Sequence, residues 1–417
     1  MLFLHQPFPS LVGSLPNRSA TQANNLGYSH IPSDSNRVGY VQNYSLTFQY
    51  QLPGSFVAEV GYIGNKGTRL EADGLDNLNQ LPVSALRYGD DLFQQLSARP
   101  NLGIPIPYAG FNGTVAQALR PFPQYGNIGR VFANFGTSHY DALQVQVTRH
   151  LTKGLAILGA YTWSKAIFTG SDSSIDAAGS QDVYNRAIER TITSFNIPHF
   201  AKFTWIYELP FGKGKLIGGG AGKVLDRAIG GWEFHGAARV QSGTPFNLGN
   251  VQLIGMTRSE LQKAVKMRFD DAGKIAYFLP QDIIDNTIRA FNVSATSANG
   301  YGSLGAPTGR YIAPANSAGC IQVYNGQCAP QNVYVTGPRF TRFDLSLVKK
   351  VKITERVNFE LRGEFLNAFN NANFFGSTNL TNFTSASFGQ ITSAYTDSSN
   401  TNDPGGRIVQ IVGRINF

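Results

Sequence analysis

Residues 143–164 read LQVQVTRHLTKGLAILGAYTWS, and this stretch decides the fold. Leu143, Val145 and Val147 alternate with Gln144, Gln146 and Thr148. A residue period of two is that of a β-strand with one apolar and one polar face. Thr152-Lys153-Gly154 then supplies a tight turn. On the return, Leu155, Ile157, Gly159, Tyr161 and Trp163 share one face, with Ala156, Ala160, Thr162 and Ser164 opposite. The pair is a β-hairpin.

The same pattern recurs on both sides. Tyr40 to Leu52 places Tyr44, Leu46, Phe48 and Tyr50 opposite Asn43, Ser45, Thr47 and Gln49. Pro53-Gly54 turns the chain, and Phe56, Ala58, Val60 and Tyr62 follow on one face, with Glu59 and Gly61 on the other. Phe203, Trp205 and Tyr207 alternate with Lys202, Thr204 and Glu208, and Trp232, Phe234 and Val240 oppose Glu233, His235 and Arg239. Phe343, Leu345 and Leu347 oppose Arg342, Asp344 and Ser346. Val357, Phe359, Leu361, Phe365 and Phe369 oppose Asn358, Glu360, Arg362 and Glu364. Val409, Ile411, Ile415 and Phe417 close the chain, so nine strands are expected.

Composition narrows what such strands can build. Of 417 residues, 15% are charged and 12% aromatic, with 29 Phe, 18 Tyr and 45 Gly. A soluble globular chain carries about 25% charged residues. A helical bundle would be richer in Ala, Glu, Lys and Leu, and a disordered chain poorer in aromatics. The longest apolar run falls short of the 18 residues that a membrane-crossing helix needs. The remaining membrane solution is a β-barrel, whose strands are only half apolar. The start, MLFLHQPFPSLVGSLP, has no basic lead and is broken by His5, Gln6, Pro7 and Pro9, so it does not read as a signal peptide. An exported product would then need a different N-terminus. The formal charge of +9 comes from scattered Lys and Arg, so a nucleic-acid partner is not expected.

Connections alternate in length. Short ones fall at 53–54, 152–154, 210–231 and 352–356, and long ones at 64–138, 168–197, 244–338 and 370–406. Short turns at one end and long loops at the other suit an outer-membrane barrel better than a soluble sandwich, whose loops rarely run to dozens of residues. Residues 1–37 then read as a loop or lead-in, and 38–417 as barrel. Tyr161 and Trp163 lie at the long-loop end of the apolar face, and Trp232 and Phe234 at the short-turn end, as in two aromatic girdles. The count closes with Phe417 at the short-turn end only if Phe388-Gly389-Gln390-Ile391 belongs to the last loop. Nine is odd, whereas single-chain bacterial barrels have even strand numbers. The barrel is expected to be incomplete here.

Little else points to chemistry. Gly218-Gly219-Gly220-Ala221-Gly222-Lys223 fails as a phosphate loop, because Ile217 stands at the first glycine and Val224 at the magnesium-binding hydroxyl. None of the six His lies at ligand spacing from another, so no metal, cofactor or enzymatic role is expected. Glu360 and Glu364 flank Arg362 and read as a charge-neutralising ladder rather than an acid/base pair. Glu59, Lys202, Glu233, Arg239, Arg342, Asp344, Glu360, Arg362 and Glu364 would face a barrel lumen. Cys320 and Cys328, alone in the 244–338 loop, read as a disulfide or as two free thiols, with the bridge favoured by export. Thr257 and Glu260 form a capping box, with Met256 and Leu261 as its staple, for a helix carrying Leu261, Ala264, Val265 and Arg268 on one face. The helix reads as a packed ornament or as a lid.

Six stretches together resemble TonB-dependent transporters: YVQNYSLTFQYQLPGSFVAEVGYIGNKGTRLE (40–71), YDALQVQVTRHLTKGLAILGAYTWSKAI (140–167), YELPFGKGK (207–215), GWEFHGAARVQSGTPF (231–246), RFDLSLVKKVKITERVNFELRGEFLNAFNNANF (342–374) and IVGRINF (411–417). The likeness is strongest to the Oar-like branch, whose members carry an N-terminal carboxypeptidase-regulatory-like domain, and it covers most of 35–417. It implies a barrel of about 22 strands with a plugged lumen, of which this chain holds the C-terminal portion. It also implies an outer-membrane lipid environment, an extracellular ligand of unknown identity and a TonB-type energising partner. By this resemblance, the plug and TonB box are expected to lie outside these stretches. By the same resemblance, Phe417 matches an outer-membrane assembly signal.

Overall fold

The computed structural model describes residues 26–31, 37–72, 75–169, 182–273, 275–294, 297–314, 331–374, 378–392, 394–395 and 405–417. Nine long strands form one antiparallel meander: β1 (Tyr40–Leu52), β2 (Phe56–Leu70), β3 (Gly136–Thr152), β4 (Leu155–Thr169), β5 (His199–Glu208), β6 (Trp232–Gln241), β7 (Phe340–Lys352), β8 (Asn358–Leu366) and β9 (Ile408–Asn416). Each pairs with its chain neighbours, and a three-residue strand, Arg190–Ile192, joins the loop end of β4. Among the described residues β1 and β9 each pair on one side only.

The turns are built as the hairpins require. Lys153 and Gly154 both take left-handed backbone, φ +49° and +79°. Such a pair matches the twist of the strands that a two-residue turn joins. Pairing then runs Leu143–Trp163, Val145–Tyr161 and Val147–Gly159. On the other side it runs Tyr62–Leu143 and Val60–Val145, with Leu46–Tyr62 and Phe48–Val60 beyond. Every one of these residues falls on a single face, as expected. That face is open: Phe48 is 68% and Ile411 77% exposed. Gly236 sits opposite Trp205, and a Cβ there would fall within the indole ring. Aromatic side chains laid over glycines of this kind fill the face and help to pin register.

The loop end of the apolar face has a polar rim. Asp141 Oδ1 accepts hydrogen bonds from Tyr62 at 2.7 Å and Tyr44 at 3.1 Å, and the Tyr161 hydroxyl shares a 2.8 Å hydrogen bond with His199 Nδ1. Trp163 lies beside them. A ring of amphipathic groups of this kind suits a boundary between an apolar and a polar medium. The strands run past it. β2 continues to Leu70 and β3 starts at Gly136, so this connection is shorter at both ends than 64–138. At 15 and 17 residues these strands exceed the roughly 9–11 that cross a bilayer.

At the opposite end, the 210–231 connection folds back on the apolar face. It contains helix α1 (Lys223–Ile229). Lys349 and Lys350 lie within β7. Lys349 is 8% exposed, and its Nζ donates to the carbonyls of Ala228, at 3.1 Å, and Gly230 at the helix C-terminus. Trp232 Nε1 donates to the same Ala228 oxygen, also at 3.1 Å.

The long loops are folded. Pro245–Ile254 pairs with Tyr311–Pro314 on one side and Gln331–Thr336 on the other. Helices α2 (Arg258–Ala264) and α3 (Gln281–Phe291) pack against them. The predicted capping box is present, and Leu261 is fully buried. However, α2 stops at Ala264, and Arg268 begins a two-residue strand instead of another turn. Gln390–Ile391 pairs with Ala276–Tyr277 in this lobe, so it belongs to the loop and is no tenth wall strand.

Candidate functional site on the polar face

Register puts all nine predicted charged residues on the face opposite the apolar band. Glu59 stands across from Gln146, Gln146 from Ala160, and Ala160 from Lys202. Lys202 faces Arg239, which faces Arg342. Three cations thus lie in one row across β5, β6 and β7. Like charges directly opposed are unfavourable, so the row is held by other contacts. The Arg239 guanidinium lies over Phe340 at 4.9 Å and Phe200 at 5.6 Å, and its Nε donates to Gln241 Oε1 at 2.8 Å. Arg342 Nε donates to both Asp344 carboxylate oxygens at 3.0 and 3.1 Å. Asp344 also accepts the Asn367 N–H at 2.7 Å. Asp344 thus pairs with one of the three cations, and Arg239 rests on an aromatic shelf of Phe340 and Phe200.

The charges of β6 to β8 nearer the short turns are paired. Arg362 donates to Glu360 at 2.7 Å and to Glu364 at 3.2 Å, so one guanidinium ties both carboxylates. Glu233 takes Lys350 at 2.7 Å and His235 at 2.8 Å. The Arg362 contacts and Glu233–His235 run along single strands, and Glu233–Lys350 crosses from β6 to β7.

Beside the basic row, a cleft of about 230 Å³ is lined by Tyr140, Gln144, Thr162, Phe195, Asn196 and Phe200. The segment after Arg190–Ile192 closes over it. Asn196 Oδ1 accepts the Ala166 N–H at 2.8 Å, and Ser164 Oγ donates to the Ile197 carbonyl at 3.1 Å. Phe200 joins cleft and row, since it lines one and stacks on Arg239 in the other.

Sequence reading missed Phe200, Phe340 and Gln241. The aromatics occupy polar-face parity and so break the alternation that reveals a strand. That break was itself the available signal: an aromatic on the wrong face, two positions from a charged residue, as in Phe200-Lys202 and Phe340-Arg342. Cys320 and Cys328 lie outside the described residues. Phe417 follows β9 and is fully exposed. Among the described residues, no three His, Cys, Asp or Glu side chains gather as a metal site.

Residues 2–410 match the family model described as an outer membrane beta barrel domain. No curated protein matches the sequence. Among solved structures the chain is similar to the FrpB iron transporter of Neisseria meningitidis, at 11% identity over 94% of this chain and 33% of that one, TM-score 0.33. It is similar to the outer membrane transporter YddB of Escherichia coli at 7% identity, over 94% of this chain and 34% of that one, TM-score 0.38. It is similar to the ferripyoverdine receptor of Pseudomonas aeruginosa at 10% identity, over 80% of this chain and 24% of that one, TM-score 0.29. The chain therefore spans about a third or less of the length of these proteins.

Proposed function

The chain belongs to the outer membrane beta-barrel domain family and resides in the outer membrane, and from that premise we propose that its nine strands are part of the wall of a TonB-dependent transporter of the Oar-like type. The apolar face meets lipid and the polar face meets the lumen. Among the described residues one edge each of β1 and β9 is unpaired, which supports a larger barrel, because an open sheet edge is not tolerated in hydrocarbon. The long-loop end faces outward, and energy comes from a TonB-type partner acting on the assembled transporter. No step of this function is enzymatic.

The observation that carries the ligand-handling role is the Lys202–Arg239–Arg342 row on its aromatic shelf. Preorganised guanidinium and ammonium groups beside an open cleft suit an anionic solute, for which charge-assisted hydrogen bonds are the strong ones. The test is uptake. Cells with and without the intact gene receive a panel of labelled anionic nutrients, with the proton gradient intact or collapsed. Gradient-dependent uptake of an anionic compound, weakened by Arg239→Ala, is the expected result. An adhesive or structural role is the second reading, favoured by the outer lobe having a hydrophobic core of its own. Surface binding by the lobe, without uptake of any anion, would establish that reading.

A further inference from the structure

The 210–231 connection is more elaborate than a turn between two strands needs. It folds into a foot on the lipid-facing side of the wall, held from beneath by Lys349 and Trp232 through the C-terminal carbonyls of α1. Between foot and wall runs an apolar groove of about 410 Å³, lined by Leu209, Phe211, Ile217, Ile229, Trp232 and Leu347. That volume lies within the range of about 300–1,000 Å³ usual for small-molecule sites. The rim has a repeated composition. Lys215 precedes Leu216, which is 88% exposed, and Lys223 precedes Val224, which is 84% exposed. Lys213 and Arg227 lie on the same foot. Lys215 is tied to Glu208 at 2.8 Å. The Lys213 backbone N–H donates to Asp226 Oδ1 at 2.5 Å, while the ammonium groups of Lys213 and Lys223 form no ion pair among the described residues.

Water gives no reason for such exposed aliphatic side chains, but a membrane interface does. Apolar residues enter the acyl boundary there while neighbouring lysines reach up to the headgroups. The groove continues the apolar band of β6 and β7, through Trp232 and Leu347, so an acyl chain can pass from the bilayer into it without crossing a polar surface.

We propose that this foot binds an anionic phospholipid, one acyl chain in the groove and the phosphate between Lys213 and Lys223. The assignment rests on the membrane placement of the proposed function, with the short-turn end in a phospholipid leaflet. It adds a specific lipid site to what would otherwise be a featureless lipid-facing wall.

The chain has three tryptophans, Trp163, Trp205 and Trp232, all on the apolar face. The full chain carrying Trp163→Phe and Trp205→Phe reports from the groove alone. Within the assembled barrel, with any tryptophans of the remaining wall likewise replaced by Phe, it is reconstituted in vesicles containing brominated phosphatidylglycerol or brominated phosphatidylcholine, each in an unbrominated background of the other lipid. Quenching of Trp232 at lower mole fraction of the brominated phosphatidylglycerol is expected. Adding Lys213→Glu and Lys223→Glu should remove that preference, since each cation near an anionic surface is worth about fivefold in local affinity. Equal quenching by the two lipids, or a preference that survives the charge reversals, overturns the site. A companion protein with Trp163 alone separates the two levels. If Trp163 is quenched by neither lipid, the apolar face is not in the bilayer and the membrane placement fails. If Trp163 is quenched by both without preference while Trp232 shows none either, only the lipid site fails.

Discussion

Gly236 carries more of this sheet than its size implies, because the Trp205 indole occupies the space where its side chain would be. Gly236→Val would force the ring off β6 and disturb its packing against Phe234, whose centroid lies 5.9 Å away. Overpacking of this kind costs about 1–3 kcal/mol. Urea unfolding of the reconstituted protein should show that loss, while Gly406→Ala, where an added Cβ meets nothing within 4 Å, should leave the midpoint unchanged. Lys349 is a second such residue. Its side chain is a cation set into the apolar face, and it is tolerable there because two backbone carbonyls receive it. Lys349→Met should preserve the apolar stem and lose about 1.5–3 kcal/mol of charged hydrogen bonding. Limited trypsin digestion would read this as earlier cleavage at Lys213 and Lys223, with β7 intact. Nothing local distinguishes Lys349 from Lys350, which points the other way and pairs with Glu233. Only register tells the two apart.

Single elements differ in how openly the sequence announces them. The nine wall strands were legible because lipid on one side imposes strict alternation on every strand, independently of its partners. The loop ends were less legible. Gly64, Asn65, Lys66 and Gly67 interrupt the alternation, yet β2 runs through them because β3 supplies a partner for each. The three-stranded sheet of the outer lobe was not foreseen at all, since its short strands pair across 57 or more residues, as in Ile254 with Tyr311. Helix α3 was also missed, although Ile283, Ile284, Thr287 and Ala290 mark a buried helical stripe. The helices of this lobe carry its pH response. The Arg310 hydrogen bond holds the Asp282 carboxyl below the usual range, and the Thr257 backbone N–H does the same for Glu260. A carboxylate with a depressed folded-state pKa stabilises the fold above its unfolded value, and the contribution fades as pH falls through the folded one. The lobe should therefore loosen once pH drops below about 4. Hydrogen exchange at pH 7 and pH 3 should show α2 and α3 losing protection ahead of the wall strands. Glu260→Gln with Asp282→Asn should flatten that difference by weakening the lobe already at pH 7.

The whole molecule is polarised, with folded loops at one end and short, lysine-bearing connections at the other. If the loops face outward, protease added to intact cells expressing the protein should cut within 244–338 and spare Lys349–Arg356; cleavage only at the basic turns would reverse the orientation. The outer lobe also ties distant parts of the chain together. Leu380, Phe388 and Ile391, from the connection between β8 and β9, are buried in a core otherwise built by the connection between β6 and β7. Phe388 meets Phe383 at 5.2 Å, and Phe383 stacks on Phe291 of α3 at 4.5 Å. Without residues 380–391, Phe278, Leu279 and Ile283 lose part of their cover and the lobe presents a sticky surface. The later connection is in effect a latch, closing on a fold prepared earlier in the chain.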